Sequence, residues 1–262
     1  MFGSASQTLK RTILASAAAV VFSSVAAHAA AIPVTFAPGV VVAGAASFTA
    51  DKLNMLVYGR TDLTGSTFNE TGYLQVNNAS LGTSTFNPAG NLSTYSLYLA
   101  FTATGTQSSP DFNSASFGTV TGLSYTLYEA PGTATFGING SNQAFTTAVS
   151  PTALATGSLV AGTTSFTVAP LGAGANVDAT FVQQLAGFIV SPTDATLTLH
   201  GAFNNDSQIV TVLNNGTAFT LNGGGGDLTF TAATTTPEPA SLGLLGTGLI
   251  GLGVLRSRRA KV

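Results

Sequence analysis

Apolar residues recur at every second position in stretch after stretch between Phe48 and Phe230, and this period constrains the fold more than any other feature. In TYSLYLAFTATG, Tyr95, Leu97, Leu99, Phe101 and Ala103 share one face, while Ser96, Tyr98, Ala100, Thr102 and Thr104 take the other. ATLTLHGAF repeats the pattern, with Leu197, Leu199 and Phe203 opposed to Thr196, Thr198 and His200. Side chains on an extended chain alternate between faces, so the period predicts strands with one buried face. Asn215-Gly216 in SQIVTVLNNGTAFTL suits a tight turn with positive φ, joining a strand ending near Leu213 to one starting near Thr217. Further strands are predicted around 48–58, 73–76, 124–129, 133–138, 164–168 and 187–190. The stretch 176–185 (NVDATFVQQL) also fits a short helix. Many short strands between Gly, Asn, Ser and Pro turns predict an all-β body built as an antiparallel β-sandwich or jelly roll. No fixed internal repeat supports a propeller or solenoid.

Charge is scarce, at 7% of residues, and unevenly placed. Six cations are terminal: Lys10, Arg11, Arg256, Arg258, Arg259 and Lys261. Between Ala30 and Thr236 only Lys52 and Arg60 are positive. Nine acids lie in that middle: Asp51, Asp62, Glu70, Asp111, Glu129, Asp178, Asp194, Asp206 and Asp227. A body with two cations against nine acids has no basic surface to neutralise phosphates, so nucleic acid is not an expected partner. The absence of cysteine excludes disulfide staples, thiolate catalysis and Cys-ligated zinc.

The two ends read as addresses. Residues 1–29 combine a positive start at Lys10 and Arg11, a short apolar run and the small-x-small triplet Ala27, His28, Ala29, which is the order of a secretory signal peptide. Cleavage is expected near Ala29 or Ala30, by signal peptidase after passage through the secretion translocon. The exported body is expected over 30–233, followed by a polar linker with Pro237-Glu238-Pro239 at 234–239. Residues 240–255 are apolar and uncharged, and 256–262 carry Arg256, Arg258, Arg259 and Lys261. Gly243, Gly246, Gly248, Gly251 and Gly253 would each cost a water-soluble helix on the order of 1 kcal/mol, whereas membrane helices tolerate glycine. A single transmembrane helix with a basic cytoplasmic tail is therefore predicted, its tail held inside by the positive-inside rule.

The run PEPASLGLLGTGLIGLGVLRSRRAKV resembles the PEP-CTERM sorting signal of Gram-negative bacteria: a PEP triplet, a Gly/Leu helix and a basic tail. The resemblance implies processing by exosortase, a membrane-embedded cysteine protease, transient anchoring in the inner membrane, and delivery to the cell surface or extracellular matrix. Two prolines straddling Glu238 suit such processing, because proline disfavours helix in itself and in the residue before it. The body in turn resembles PEP-CTERM proteins associated with floc formation, through Phe48, Asp51, Lys52 and Leu53, through Tyr95, Leu97 and Tyr98, and through Gly224, Gly225, Gly226 and Asp227. It departs from their pattern after Leu53, where Asn54-Met55-Leu56-Val57-Tyr58 contains no Glu. That resemblance implies a matrix protein acting in floc or biofilm formation with exopolysaccharide as partner.

No catalytic constellation emerges. A Ser/His/Asp hydrolase needs a histidine base, and the body holds only His200, with no G-x-S-x-G elbow. No cofactor and no metal are expected. FNNDSQ and GGGGDL, with Asp206 and Asp227, come nearest to calcium-loop chemistry without matching a dedicated loop. Tyr98 and Tyr128 are the candidate glycan contacts, their partners Tyr95 and Tyr125 facing the core. The expectation is a non-enzymatic exported protein promoting aggregation; the alternatives are a polysaccharide-binding or polysaccharide-modifying module and a self-assembling structural surface protein.

Overall fold

The structure is a computed structural model that describes residues 30–168, 171–192, 197–205 and 210–232. Eight long strands dominate it: β1 (Lys52–Thr64), β2 (Thr67–Leu81), β3 (Tyr95–Gln107), β4 (Ser116–Pro131), β5 (Thr152–Val168), β6 (Leu171–Gln183), β7 (Leu197–Asn205) and β8 (Ala218–Ala232). Each pairs antiparallel with the next, and β8 returns to pair with β1. The all-β expectation holds, but the architecture is a closed up-and-down barrel and not the predicted sandwich or jelly roll. The difference lies in one contact. Lys52 pairs with Thr229 and Asp62 with Ala218, and this seam turns an open sheet into a ring.

The ladder also sets the width of the barrel. From Thr163 on β5, one route runs through Thr119, Thr106 and Thr67 to Thr64 on β1. The opposite route runs through Asn176, Ala202 and Asp227 to Asn54 on β1. The two arrivals are ten residues apart, which is the stagger of the closed sheet. Eight strands staggered in this way enclose an interior that side chains fill, or that holds one small ligand.

Alternation decides what enters that interior. On β1 the buried side chains are Leu53, Met55, Val57, Thr61 and Leu63, and the outward row of Lys52, Asn54, Leu56, Tyr58, Arg60 and Asp62 is mostly polar. Polar-out and apolar-in is the reverse of a membrane-spanning barrel. Among the described residues no helix is long and apolar enough to cross a membrane. The predicted transmembrane helix, signal peptide, PEP triplet and basic tail lie outside the described residues.

Phenylalanines close both ends. At one end, the short strands Val34–Phe36, Phe48–Ala50 and Ile189–Ser191 form a separate three-stranded sheet. Phe36 anchors it, with ring centroids 5.5 Å from Phe188 and 5.3 Å from Phe230. At the other end Phe112 enters from the β3–β4 loop, 4.8 Å from Phe166 and 4.6 Å from Phe219. The chain joins and leaves the barrel at the Phe36 end, where Ala31 bridges Thr231 and the Ile32 amide donates to the Phe230 carbonyl. The barrel and both closures are complete within residues 30–232, so this span contains its own core.

One local expectation needs correction, and one predicted strand forms apart from the barrel. The stretch 176–185 is not a helix: it belongs largely to β6, where Val177, Ala179 and Phe181 point inward. Phe136–Ile138 pairs with Ala144–Thr146 in a small hairpin outside the barrel. The turn at Asn215-Gly216 forms as expected, with Asn214, Asn215 and Gly216 all at positive φ and Leu213 paired with Ala218.

Candidate functional site

Four of the six tyrosines meet on the outer wall. Tyr58 on β1 pairs with Tyr73 on β2, and Tyr98 on β3 pairs with Tyr128 on β4. Tyr73 and Tyr98 bridge these pairs, with ring centroids 6.1 Å apart. Phe136 from the small hairpin lies 5.2 Å from Tyr98 and 6.0 Å from both Tyr58 and Tyr73. Arg60, paired with Asp62, also donates to the carbonyl of Asn142 in the hairpin turn. The result is an aromatic strip across four strands. Tyr95 and Tyr125 face inward as expected, but Tyr98 is not a surface residue: Phe136 covers it to 3% exposure. Tyr58, Tyr73 and Tyr128 stay half-buried. Burial raises the Tyr58 phenol, and burial with neighbouring Tyr128 and Tyr73 pushes Tyr98 up to about 12. The hydroxyls of the three half-buried tyrosines, Tyr58, Tyr73 and Tyr128, form no hydrogen bond to the described residues and face the outer side of the wall.

Inside the barrel lies a cavity of about 120 Å³. Phe112, Phe166 and Phe219 roof it, and Val57, Leu99 and Leu228 contribute to its walls. Glu70 projects into it from β2, facing Thr61 across the ladder. Burial pushes Glu70 up to about 7, with the facing Thr61 hydroxyl acting in the opposite direction. Tyr125 lies along the inner wall over Gly157 of the neighbouring strand and donates to the Thr180 carbonyl at 2.6 Å. Gly157 permits this placement, since a Cβ there would collide with both the ring and that carbonyl.

A second acid, Glu129, sits nearer the Phe36 end. It is fully buried, neither carboxyl oxygen has a partner, and burial pushes it up to about 8. Glu70 pairs with Ala103 and Glu129 with Leu97, six positions apart on β3, so the acids stand roughly 20 Å apart along the wall. A glycosidase brings its two carboxyls within about 5–9.5 Å. Sequence reasoning singles out neither residue, although both share the inward parity of apolar neighbours, Glu70 with Phe68 and Glu129 with Leu127.

The remaining candidates take structural positions. His200 faces outward and bonds Asp178 at 2.7 Å. Asp227 pairs with Lys52 at 3.4 Å, and Asp111 accepts the Asn113 amide in a local turn. Asp206 lies outside the described residues, and among those described no group of three His, Cys, Asp or Glu gathers. Closure pairs all eight long strands on both sides, while the short strands Ser84–Phe86 and Val210–Leu213 belong to the same sheet and each pair on one side only.

These features define a closed antiparallel β-barrel with an apolar interior and an aromatic outer strip. The chain carries a PEP-CTERM protein-sorting motif, matched over residues 235–259. That motif implies export, processing by exosortase and sorting to the cell surface. No curated protein and no solved structure matches the chain.

Proposed function

We propose that this is a non-enzymatic matrix protein which, once released by exosortase, promotes cell aggregation by holding exopolysaccharide on its outer wall. The tyrosine strip carries this reading. Planar apolar rings with polar tips suit sugar faces, because the ring stacks while the hydroxyl bonds. The strip lies on the rigid wall of β1 to β4, so its geometry is set before any ligand arrives. Thr71, Thr126 and Asn222 on neighbouring positions offer uncharged hydrogen-bonding groups, and the one nearby cation, Arg60, is paired with Asp62.

The test uses the native host. Cultures lacking the protein should settle more slowly, and the intact gene should restore settling. A Tyr58→Ala/Tyr73→Ala/Tyr128→Ala variant should reach the surface in normal amount without restoring it, and should no longer sediment with isolated exopolysaccharide. Normal settling without the protein, or full rescue by the triple variant, would refute the proposal.

A further inference from the structure

We infer that the barrel interior is a binding site for a small apolar molecule bearing one hydrogen-bond-donating head group, an amine or a hydroxyl, which Glu70 receives. This inference stands apart from the proposed function, because it concerns the inner surface rather than the outer one.

Three observations converge on the cavity. The first is its space. A dry apolar cavity of about 150 Å³ accepts benzene, so 120 Å³ suits a molecule of no more than about six or seven heavy atoms. The second is its unfulfilled polar groups. The Thr61 hydroxyl and the Asn205 side-chain oxygen both line the cavity, are 3% and 2% exposed as residues, and have no partner. Buried polar atoms are normally paired, and an orphan calls for a partner such as a water or a ligand.

The third observation is the kind of group left over. Glu70 and Asn205 offer acceptor oxygens, and the Thr61 hydroxyl can accept as well as donate. Together they select a head that donates. Above about pH 7, where Glu70 is ionised, a carboxylate head would meet it as a like charge. The two cations of the described body do not compete for Glu70, since Lys52 pairs with Asp227 and Arg60 with Asp62 outside the barrel. Gly59 leaves the carboxyl its room: a Cβ there would stand 3.3 Å from Glu70 Oε1.

The probes are n-hexylamine, 1-hexanol and n-hexanoate, titrated by calorimetry into the body spanning residues 30–232. Hexylamine and hexanol should bind saturably, with Kd on the order of 10 µM to 1 mM for ligands of this size, and hexanoate should not. Glu70→Gln should weaken hexylamine about tenfold or more, as expected for a lost bond to a charged group, and change hexanol much less. Ala175→Leu and, separately, Val177→Phe fill the cavity and should abolish both. Should either filled variant fail to fold, contacts between bound hexanol and the methyls of Val57 and Leu99, read by NMR on the unsubstituted protein, locate the ligand instead. Failure of both hexylamine and hexanol to bind would overturn the inference and assign the space to water. Undiminished binding to a folded, filled variant, or no hexanol contact with Val57 and Leu99, would overturn it by placing the probe on the surface.

Discussion

Glu129 should make the barrel less stable as pH rises. Its carboxyl is fully buried without a hydrogen bond, and no cation of the described residues pairs with it. The neighbouring Tyr95 hydroxyl is equally unpartnered, and burial together with the Glu129 charge pushes that phenol up to about 12. Folding raises Glu129 from an ordinary 4.5 to about 8. Between these values the folded protein keeps a proton that the unfolded chain has lost. The stabilisation is therefore complete below about pH 4.5, falls through the interval and is gone above about 8. At about 1.4 kcal/mol per pH unit, the full loss is on the order of 4–5 kcal/mol. A domain of ordinary stability has only about 5–15 kcal/mol in total, so the effect should dominate its pH profile. Glu70, raised to about 7, adds to the same slope over a narrower interval. Urea unfolding at pH 5, 7 and 8.5, followed by circular dichroism because the chain has no tryptophan, measures the effect. Glu129→Gln should flatten the profile and exceed the unsubstituted protein at pH 8.5. A variant that declines with pH as steeply as the parent would refute the reasoning.

Three further outcomes follow from the same structure. Changing Pro237, Glu238 and Pro239 to alanine should leave an uncut protein in the membrane fraction, detected by immunoblot; normal release would contradict the role of the triplet. Gly157→Val should destabilise the barrel by about 3 kcal/mol or more in urea unfolding, through displaced Tyr125 and its bond to Thr180. Tyr98→Ala should cost about 3–5 kcal/mol and expose the hairpin at Asn139–Asn142 to limited proteolysis, because Phe136 loses the ring on which it rests.

Local rules make the strands legible and leave their closure hidden. Tyr95, Leu97, Leu99 and Phe101 declare an inward face in any antiparallel sheet, whether a sandwich or a barrel. Only the pairing of Lys52 with Thr229 separates the two, and no local pattern encodes so distant a contact. β6 is ambiguous because Val177, Phe181 and Leu185 recur at four-residue spacing within 176–185, which also suits one face of a helix. Barrel packing selects the strand. The tyrosine strip is half legible: parity separates Tyr98 from Tyr95, but its meeting with Tyr58, Tyr73 and Phe136 depends on register and on a hairpin folding back. Glu70 and Glu129 show the opposite failure, where parity alone places them inside but an acid reads as surface.

The seam between β1 and β8 also orders events in time. The ring cannot close before Ala218–Ala232 is available to meet Lys52–Thr64. In a chain exported from its N-terminus β8 is the last strand to emerge, so there the barrel could close only after Ala232 had crossed. From Ala232 to Pro237 the chain reaches at most about 18 Å, which keeps the newly closed barrel beside the site of cutting. Assembly and release are thus successive steps at one place, and the short tether allows little distance between them.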